Sequence, residues 1–208
     1  MPTFKLSAPA LLVALALAAA GPAQAEEMLK HQVHLVGSAE WVDNTVQLTP
    51  RGGGTGGIWG KQPVSLLESF RVVFTFYLRR SFTDPQADGV AFVIQTQSAS
   101  ALGEGGGGLG LVGLPGVGSV IQTYVNNHVG FTLDANPYDA KAAPADLGAA
   151  QVVKGREYIS YDAANHVLRM NGHIAVDGKR YQVNDTANVD LASLLGADSA
   201  YFGFVGKP

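Results

Sequence analysis

The sequence predicts an all-β protein, an antiparallel sandwich of short strands. β-Branched and aromatic runs of strand length recur along the chain, and turn-forming residues separate them. Apolar residues at helical spacing are almost absent, so little helix is expected. The same pattern also suits a β-barrel. No repeat with the spacing of a propeller or a solenoid occurs.

The N-terminus has the pattern of a secretory signal peptide. Lys5 supplies positive charge, residues 10–20 form an apolar stretch, and residues 23–25 provide a small-residue cleavage motif. An uncleaved membrane anchor needs a longer apolar run. We therefore expect residues 1–25 to be removed on export and residues 26–208 to form one domain, secreted or held in the periplasm or cell envelope.

Composition excludes several classes of function. The chain has no cysteine, so a disulfide scaffold, a thiolate nucleophile and a zinc–cysteine site are ruled out. A cysteine-free exported protein suits a bacterial envelope. Charged residues make up 15% of the chain and the net charge is −3, with no basic stripe along the sequence, so nucleic-acid binding is not expected. No second apolar span follows the leader, so no membrane span is expected in the mature protein.

The elements before residue 80 are predicted from alternation and turn residues. Residues 31–36 alternate between polar and apolar side chains, which predicts a strand, and a turn at 42–45 leads to a second strand at 46–50. Residues 51–57 are predicted as a glycine loop. Phe70–Leu78 gives the strongest strand signal, because it is long and rich in aromatic and β-branched residues.

The central stretch carries most of the groups suited to function. Two predicted strands, 87–95 and 119–124, flank a glycine-rich passage whose bare backbone can approach a ligand. Asp88 lies at the start of the first strand, and Asn126 and His128 follow the second. This layout indicates a binding site rather than a catalytic one.

The remaining elements are again mostly strands. Residues 136–150 are rich in alanine and proline and are predicted as a loop. Asp177-Gly178-Lys179 is a hairpin turn signal, and residues 190–195 are predicted as one turn of helix. The predicted strands of this half are 129–133, 156–161, 167–170, 174–176, 181–183 and 199–205.

The order of these segments resembles the legume (L-type) lectin domain over most of the mature chain. The strings that carry the resemblance are 48–50, Gly56–Trp59, Phe70–Phe76, Ala87–Phe92, Leu102–Gly110, Val189–Ala192 and Phe202–Phe204. The resemblance implies a concanavalin-like jelly-roll sandwich that binds sugars on its concave face. The chain is thus identified as a bacterial exported member of this family.

The resemblance also implies a shallow sugar site. Asp88 would accept hydrogen bonds from sugar hydroxyls, Gly107 would donate its backbone N–H, Asn126 would supply an amide, and Tyr124 an aromatic face. Each residue also has a purely structural alternative. Asp88 could cap a loop, the glycines could be a linker, Tyr124 could be an ordinary sheet residue, and Asn126 could make a turn.

The metal sites of the family are expected to be lost. Val120 and Gln122 stand where the family has metal-ligating carboxylates, and the loop with its second aspartate is missing. Calcium needs six to eight oxygen ligands with carboxylate charge, and His128 alone cannot hold a transition metal. We therefore expect no cofactor. In the family calcium supports a cis peptide before the site aspartate, so the geometry of Ala87–Asp88 stays open.

A second departure lies at the C-terminus. In the family, the segment that Phe202–Phe204 resembles is followed by a sugar-contacting loop and one further strand of the back sheet. If the chain ends naturally at Pro208, both are absent and a sheet edge is expected to be uncovered; a truncated reading frame or a strand from a partner would also explain this end.

Three functions compete on this reading. The first is an exported carbohydrate-binding protein, whose partner is a sugar or glycoconjugate and whose oligomeric state is open. The second, a glycoside hydrolase, needs two carboxylates across the scissile bond, and β-strand positions 120, 122 and 124 carry none. The third is a degenerate lectin-fold protein with a structural or adhesive role in the envelope. We expect the first, and no enzymatic activity.

Overall fold

The protein is a sandwich of two antiparallel β-sheets, as the strand pattern predicts, and the barrel alternative is wrong. The structure, a computed structural model, describes residues 30–43, 45–49, 53–79, 88–124 and 126–207, and the backbone of 3–5. The strands are β1 Thr3–Lys5, β2 Val33–Gly37, β3 Glu40–Val42, β4 Thr45–Gln47, β5 Gly56–Gly60, β6 Val64–Ser65, β7 Phe70–Arg79, β8 Gly89–Gln95, β9 Gly116–Gln122, β10 His128–Thr132, β11 Val152–Asp162, β12 Val167–Val176, β13 Lys179–Asn188 and β14 Ser199–Lys207. A single-turn helix, α1, spans Leu191–Leu195.

The strands form a back sheet and a front sheet. The back sheet has the order β13-β12-β11-β7-β1-β4-β3, and the front sheet has the order β10-β9-β8-β14-β5-β2, with β6 paired to β14. Every strand pair is antiparallel. β1 is the one part of the expected signal peptide that is described, and its removal remains a prediction. No helix in the described part of the chain is long and apolar enough to cross a membrane.

Most predicted elements are confirmed. The hairpin turn at Asp177-Gly178 has φ angles of 46° and 89°, which fit the left-handed conformation that a two-residue turn requires. α1 begins where predicted, because the Asp190 carboxylate accepts the backbone N–H of Ala192 and Ser193. β12 is longer than predicted and joins the two short runs into one strand of ten residues.

β5 contradicts the prediction that residues 51–57 are a loop up to Gly57. Gly56 and Gly57 begin a buried strand between β14 and β2. A Cβ atom on Gly56 would overlap the backbone carbonyl of Leu48. Glycine is therefore present here because another chain segment passes close to the strand. The low strand propensity of glycine hides this strand from a prediction based on sequence.

The main core lies between the two sheets and is rich in phenylalanine. Phe74 of the back sheet meets Phe204 of the front sheet edge to face, with ring centroids 4.9 Å apart. Phe92 packs against Phe204 at 5.4 Å. Each ring is at most 2% exposed, so truncation of one to alanine would cost about 3–5 kcal/mol.

A second core lies on the other side of the front sheet, under the glycine-rich passage. Leu109 and Leu111 are fully buried there with Ala91, Val93 and Val120 of β8 and β9. The passage is therefore anchored by apolar burial and is not a flexible linker.

Two buried acids connect the sheets. Ser119 of β9 donates its hydroxyl to Glu157 Oε2 of β11 at 2.9 Å, while Glu157 Oε1 has no partner. Asp185 of β13 accepts the backbone N–H of Phe131 at 2.9 Å and forms an ion pair with Lys141. Burial raises the pKa of Glu157 to about 7, and the Ser119 hydrogen bond opposes that rise only in part.

Glu157 is expected to make stability depend on pH. The pKa of Glu157 rises from 4.5 to about 7 on folding. Its contribution to the free energy of unfolding is therefore complete below pH 4.5 and is lost as the pH rises through 7. The change corresponds to about 3 kcal/mol in the free energy of unfolding. Denaturant unfolding of Glu157→Gln between pH 4.5 and 8 should lack this loss. The exposed Glu68→Gln variant is the control and should keep it, and an unchanged pH dependence in Glu157→Gln would contradict the assignment.

Candidate functional site

The strand register brings four strand ends together at one end of the front sheet. His128 pairs with Gln122, Gln122 pairs with Gly89, and Gly89 pairs with Lys207. We call this region, with Asp88 and the adjoining glycine loop 104–110, the loop end. Residues distant in sequence therefore meet here.

Asp88 is fixed at the loop end by its backbone. Its N–H donates to the carbonyl of Lys207, and its own carbonyl accepts the N–H of Thr123, each at 2.9 Å. The residue is only 7% exposed. Its carboxylate receives no hydrogen bond from the described residues. The backbone of Asp88 is thus fixed, and its side chain is largely removed from water.

The electrostatics of Asp88 follow from this burial. Loss of hydration raises the pKa of the carboxyl group, and the positive charge of Lys207 opposes the rise. A desolvated carboxylate without a donor gains more from an incoming hydroxyl than an exposed one does, because less water must be displaced.

The glycine loop approaches the end of β9 through Gly107. Gln122 donates Nε2–H to the carbonyl of Gly107 at 3.2 Å. Backbone hydrogen bonds also close the loop on itself. The N–H of Gly103 donates to the carbonyl of Gly110 at 2.8 Å, and the N–H of Gly110 donates to the carbonyl of Glu104 at 2.7 Å. The N–H of Gly107 makes no hydrogen bond with any described residue. That donor is therefore unused within the described part of the chain.

Tyr124 and Asn126 differ in how well they fit the predicted site. Tyr124 follows Thr123 directly and is 46% exposed, so its ring is accessible at the loop end. Asn126 is exposed and has φ of 64°, within a turn that Asn127 continues. No contact among the described residues joins Asn126 to Asp88 or Gly107. Tyr124 is accessible at the loop end and Asn126 lies in the adjoining turn, while the convergence of Asp88, Gly107, Tyr124 and Asn126 on one site stays a prediction.

The neighbouring Asn127 has a structural role. Its Oδ1 accepts the backbone N–H groups of Leu147 and Gly148 at 3.0 and 2.9 Å. These two hydrogen bonds anchor the predicted loop 136–150 against the loop end.

Tyr138 contacts the glycine loop, which the sequence did not reveal. Its hydroxyl lies so close to Gly107 that a Cβ atom there would overlap it, and its ring is edge-on to His128 at 6.0 Å. The 3₁₀ turn that holds Tyr138 starts at Asn136, whose Oδ1 accepts the Tyr138 N–H. The Asn-Pro pair signals such a turn but not its tertiary contact. His128 itself donates Nδ1–H to the carbonyl of Ala140 at 2.8 Å, so that nitrogen is occupied.

The two positions where the resemblance implies carboxylate ligands, Val120 and Gln122, carry uncharged side chains. Val120 is fully buried in the apolar cluster under the loop. Gln122 uses its Nε2 on Gly107, and its Oε1 and the Thr123 hydroxyl are buried without partners, as groups satisfied by ordered water often are. No group of three His, Cys, Asp or Glu side chains that could hold a metal occurs in the described ranges. Ala87 lies outside the described residues, so the cis-peptide expectation lies outside them too.

Comparison with known proteins identifies the architecture. No family model matches the chain. The lectin from Bauhinia forficata in complex with GalNAc matches with a TM-score of 0.68 and 25% identity, over 84% of this chain and 85% of that one. The Lotus tetragonolobus seed lectin matches with a TM-score of 0.70 and 18% identity, over 85% of each chain. The fold is legume-lectin-like.

A third legume lectin also matches this fold. The metal-free form of lectin I-B4 from Griffonia simplicifolia matches with a TM-score of 0.66 and 22% identity, over 86% of each chain. The resemblance drawn from the motifs is confirmed for the fold, and these neighbours are lectins.

Gln122 is expected to hold the glycine loop in place. In Gln122→Met the hydrogen bond to Gly107 is lost, while the buried volume is kept. Amide hydrogen exchange of residues 104–110 should accelerate, and the free energy of unfolding should fall by only about 1 kcal/mol. Gln182→Met, at an exposed position of β13, is the control. Unchanged exchange in the loop of Gln122→Met would show that apolar burial alone holds it.

Proposed function

We propose that this chain is an exported lectin-like protein that binds a sugar at the loop end without a metal ion. The carboxylate of Asp88 carries the proposal. It is positioned by two backbone hydrogen bonds, has lost most of its hydration, and has no donor among the described residues. The lectin neighbours support carbohydrate as the guest, and that of Bauhinia forficata was solved with GalNAc.

The chemistry of a sugar complements these groups. Vicinal hydroxyls donate to the two oxygens of Asp88, and a sugar oxygen accepts the unused N–H of Gly107. The apolar face of the ring lies against an exposed tyrosine, with Tyr124 and Tyr138 both available. Asn126 completes the site as a hydrogen-bonding group at its edge.

Gln122 replaces the function of a metal in this proposal. A metal site would hold the glycine loop and the aspartate strand together by charge. Here the side chain of Gln122 reaches Gly107 directly from the strand that pairs with Gly89. The charge of Asp88 is then opposed by Lys207 rather than by a cation bound to the protein.

The alternative is a lectin-fold envelope protein that has lost sugar binding. The sugar-binding and the structural functions share the fold, the expected export and the expected loss of metal ligands. Only a measurement of ligand binding therefore distinguishes them. In both cases we propose cleavage after residue 25, a secreted or periplasmic location, and no catalytic activity.

Asp88→Ala is expected to abolish sugar binding with little change in Tm. The hydrogen bonds that fix residue 88 come from its backbone and survive the substitution, while the acceptor is lost. A glycan array that includes galactose and GalNAc would identify the ligand, and titration of that ligand would give the loss, on the order of a hundredfold. Glu104→Ala, an exposed acid of the same loop, should bind normally.

The outcomes separate the two functions. Loss of folding in Asp88→Ala would show that Asp88 is structural. If no glycan is bound by the wild-type protein, the structural or adhesive function is correct.

Removal of metal is expected to leave sugar binding unchanged. The loop end is held by hydrogen bonds and apolar burial, so dialysis against EDTA should alter neither the affinity nor Tm. Readdition of calcium should likewise have no effect. Binding that is abolished by EDTA and restored by calcium would contradict the proposed absence of a metal.

A further inference from the structure

The outer face of the back sheet is a flat polar surface on the side opposite the front sheet. We call it the back face, and strand register defines it, because directly paired residues point to the same side. Its four rows are Arg71-Ser160-Arg169-Thr186, Val73-Tyr158-Asn171-Asn184, Thr75-Arg156-His173-Gln182 and Tyr77-Lys154-Ala175-Arg180. Four strands and four rows cover roughly 14 Å by 20 Å.

The back face is strongly basic in an acidic protein. Its rows hold five cations and no carboxylate, although the whole chain has a net charge of −3. The five are Arg71, Lys154, Arg156, Arg169 and Arg180. None of them forms an ion pair with a described residue. The basic stripe that the sequence does not show is therefore assembled by the sheet.

The environment of His173 reflects this concentration of charge. Loss of hydration lowers the pKa of His173, and the positive charges of Arg180 and Arg156 lower it further. Arg156 also lies over the ring of Tyr158, 4.9 Å from its centroid, and that ring is 44% exposed. A cation and an aromatic surface are thus presented together.

Hydrogen-bonding side chains lie between the cations. Asn171, Asn184 and Gln182 occupy the inner rows, and Ser160 and Thr186 occupy the first. Charge, amides and one exposed ring on a flat sheet together suit an extended ligand that carries both anions and hydroxyls.

We propose that the back face binds an acidic polysaccharide, a chain of sugars that carries carboxylates. The cations pair with the carboxylates, the amides bind the hydroxyls between them, and Tyr158 contacts a ring face. This surface is separate from the sugar site at the loop end, and neither depends on the other.

Other anionic partners fit this face less well. A membrane surface favours apolar side chains that enter the headgroup region, and the four rows contain no Leu, Ile, Met, Phe or Trp. Single-stranded nucleic acid favours several stacking rings, and Tyr158 is the one aromatic residue of the back face among the exposed large side chains.

The test uses the full chain and polygalacturonate immobilised on a biosensor. Wild-type protein should bind it, and dextran, which is neutral, should not be bound. Arg156→Gln/Arg169→Gln/Arg180→Gln should weaken binding by about tenfold or more, because each exposed charge contributes modestly. Binding should also weaken from 0.1 to 1 M salt, as the screening length falls from about 10 to about 3 Å. Circular dichroism checks that the variant is folded.

Matched controls decide the location and the class of ligand. Lys61→Gln, an exposed cation outside the back face, and Asp88→Ala should both bind polygalacturonate like wild type. Equal binding by the triple variant would overturn the proposal. So would equally tight binding of polyglutamate, poly(dT) or phosphatidylglycerol vesicles, since the ligand would then be recognised by charge alone. Because Asp88→Ala affects only the loop end, failure of either site is distinguishable from failure of the other.

Discussion

The antiparallel register of β8 with its two neighbours is the constraint on which the loop end depends. Gly89 pairs with Gln122 on one side and Lys207 on the other, so Asp88 lies between Thr123 and the last strand. A shift by one residue would exchange the two faces of β8 and place Phe92 outside the main core. The aromatic core therefore fixes the register, and the register fixes the site.

Much of the fold could be predicted because local and tertiary preferences agree. Phe70–Leu78 alternates between core and surface, and the turn at Asp177-Gly178 needs left-handed backbone that these residues tolerate. Asp88 and Gly107 were found through motif strings rather than periodicity. At Gly56, glycine is present because another chain segment passes close to it, so local propensity predicts a loop where a strand forms.

Other features could not be predicted, because they depend on pairing between distant strands. Tyr138 reaches Gly107 from a loop thirty-one positions later, and nothing in its local sequence marks that contact. The cations of the back face are scattered singly from Arg71 to Arg180 and share a surface only through the register of β7, β11, β12 and β13. Charges counted along the sequence show no basic stripe, but strand pairing in the sheet places these cations on one face.

The loop end and the back face differ in the hydration of their charged groups. This difference would allow one chain to carry both proposed binding sites. At the loop end Asp88 is desolvated, so hydrogen bonds there are strong and few groups suffice. On the back face the cations stay hydrated, so each contributes little and many are needed. Between them, burial raises the pKa of Glu157 to about 7, so this carboxyl group is uncharged in the interior at low pH. In the two proposals, selective sugar recognition therefore belongs to the buried acid, and attachment to an extended anion belongs to the exposed sheet.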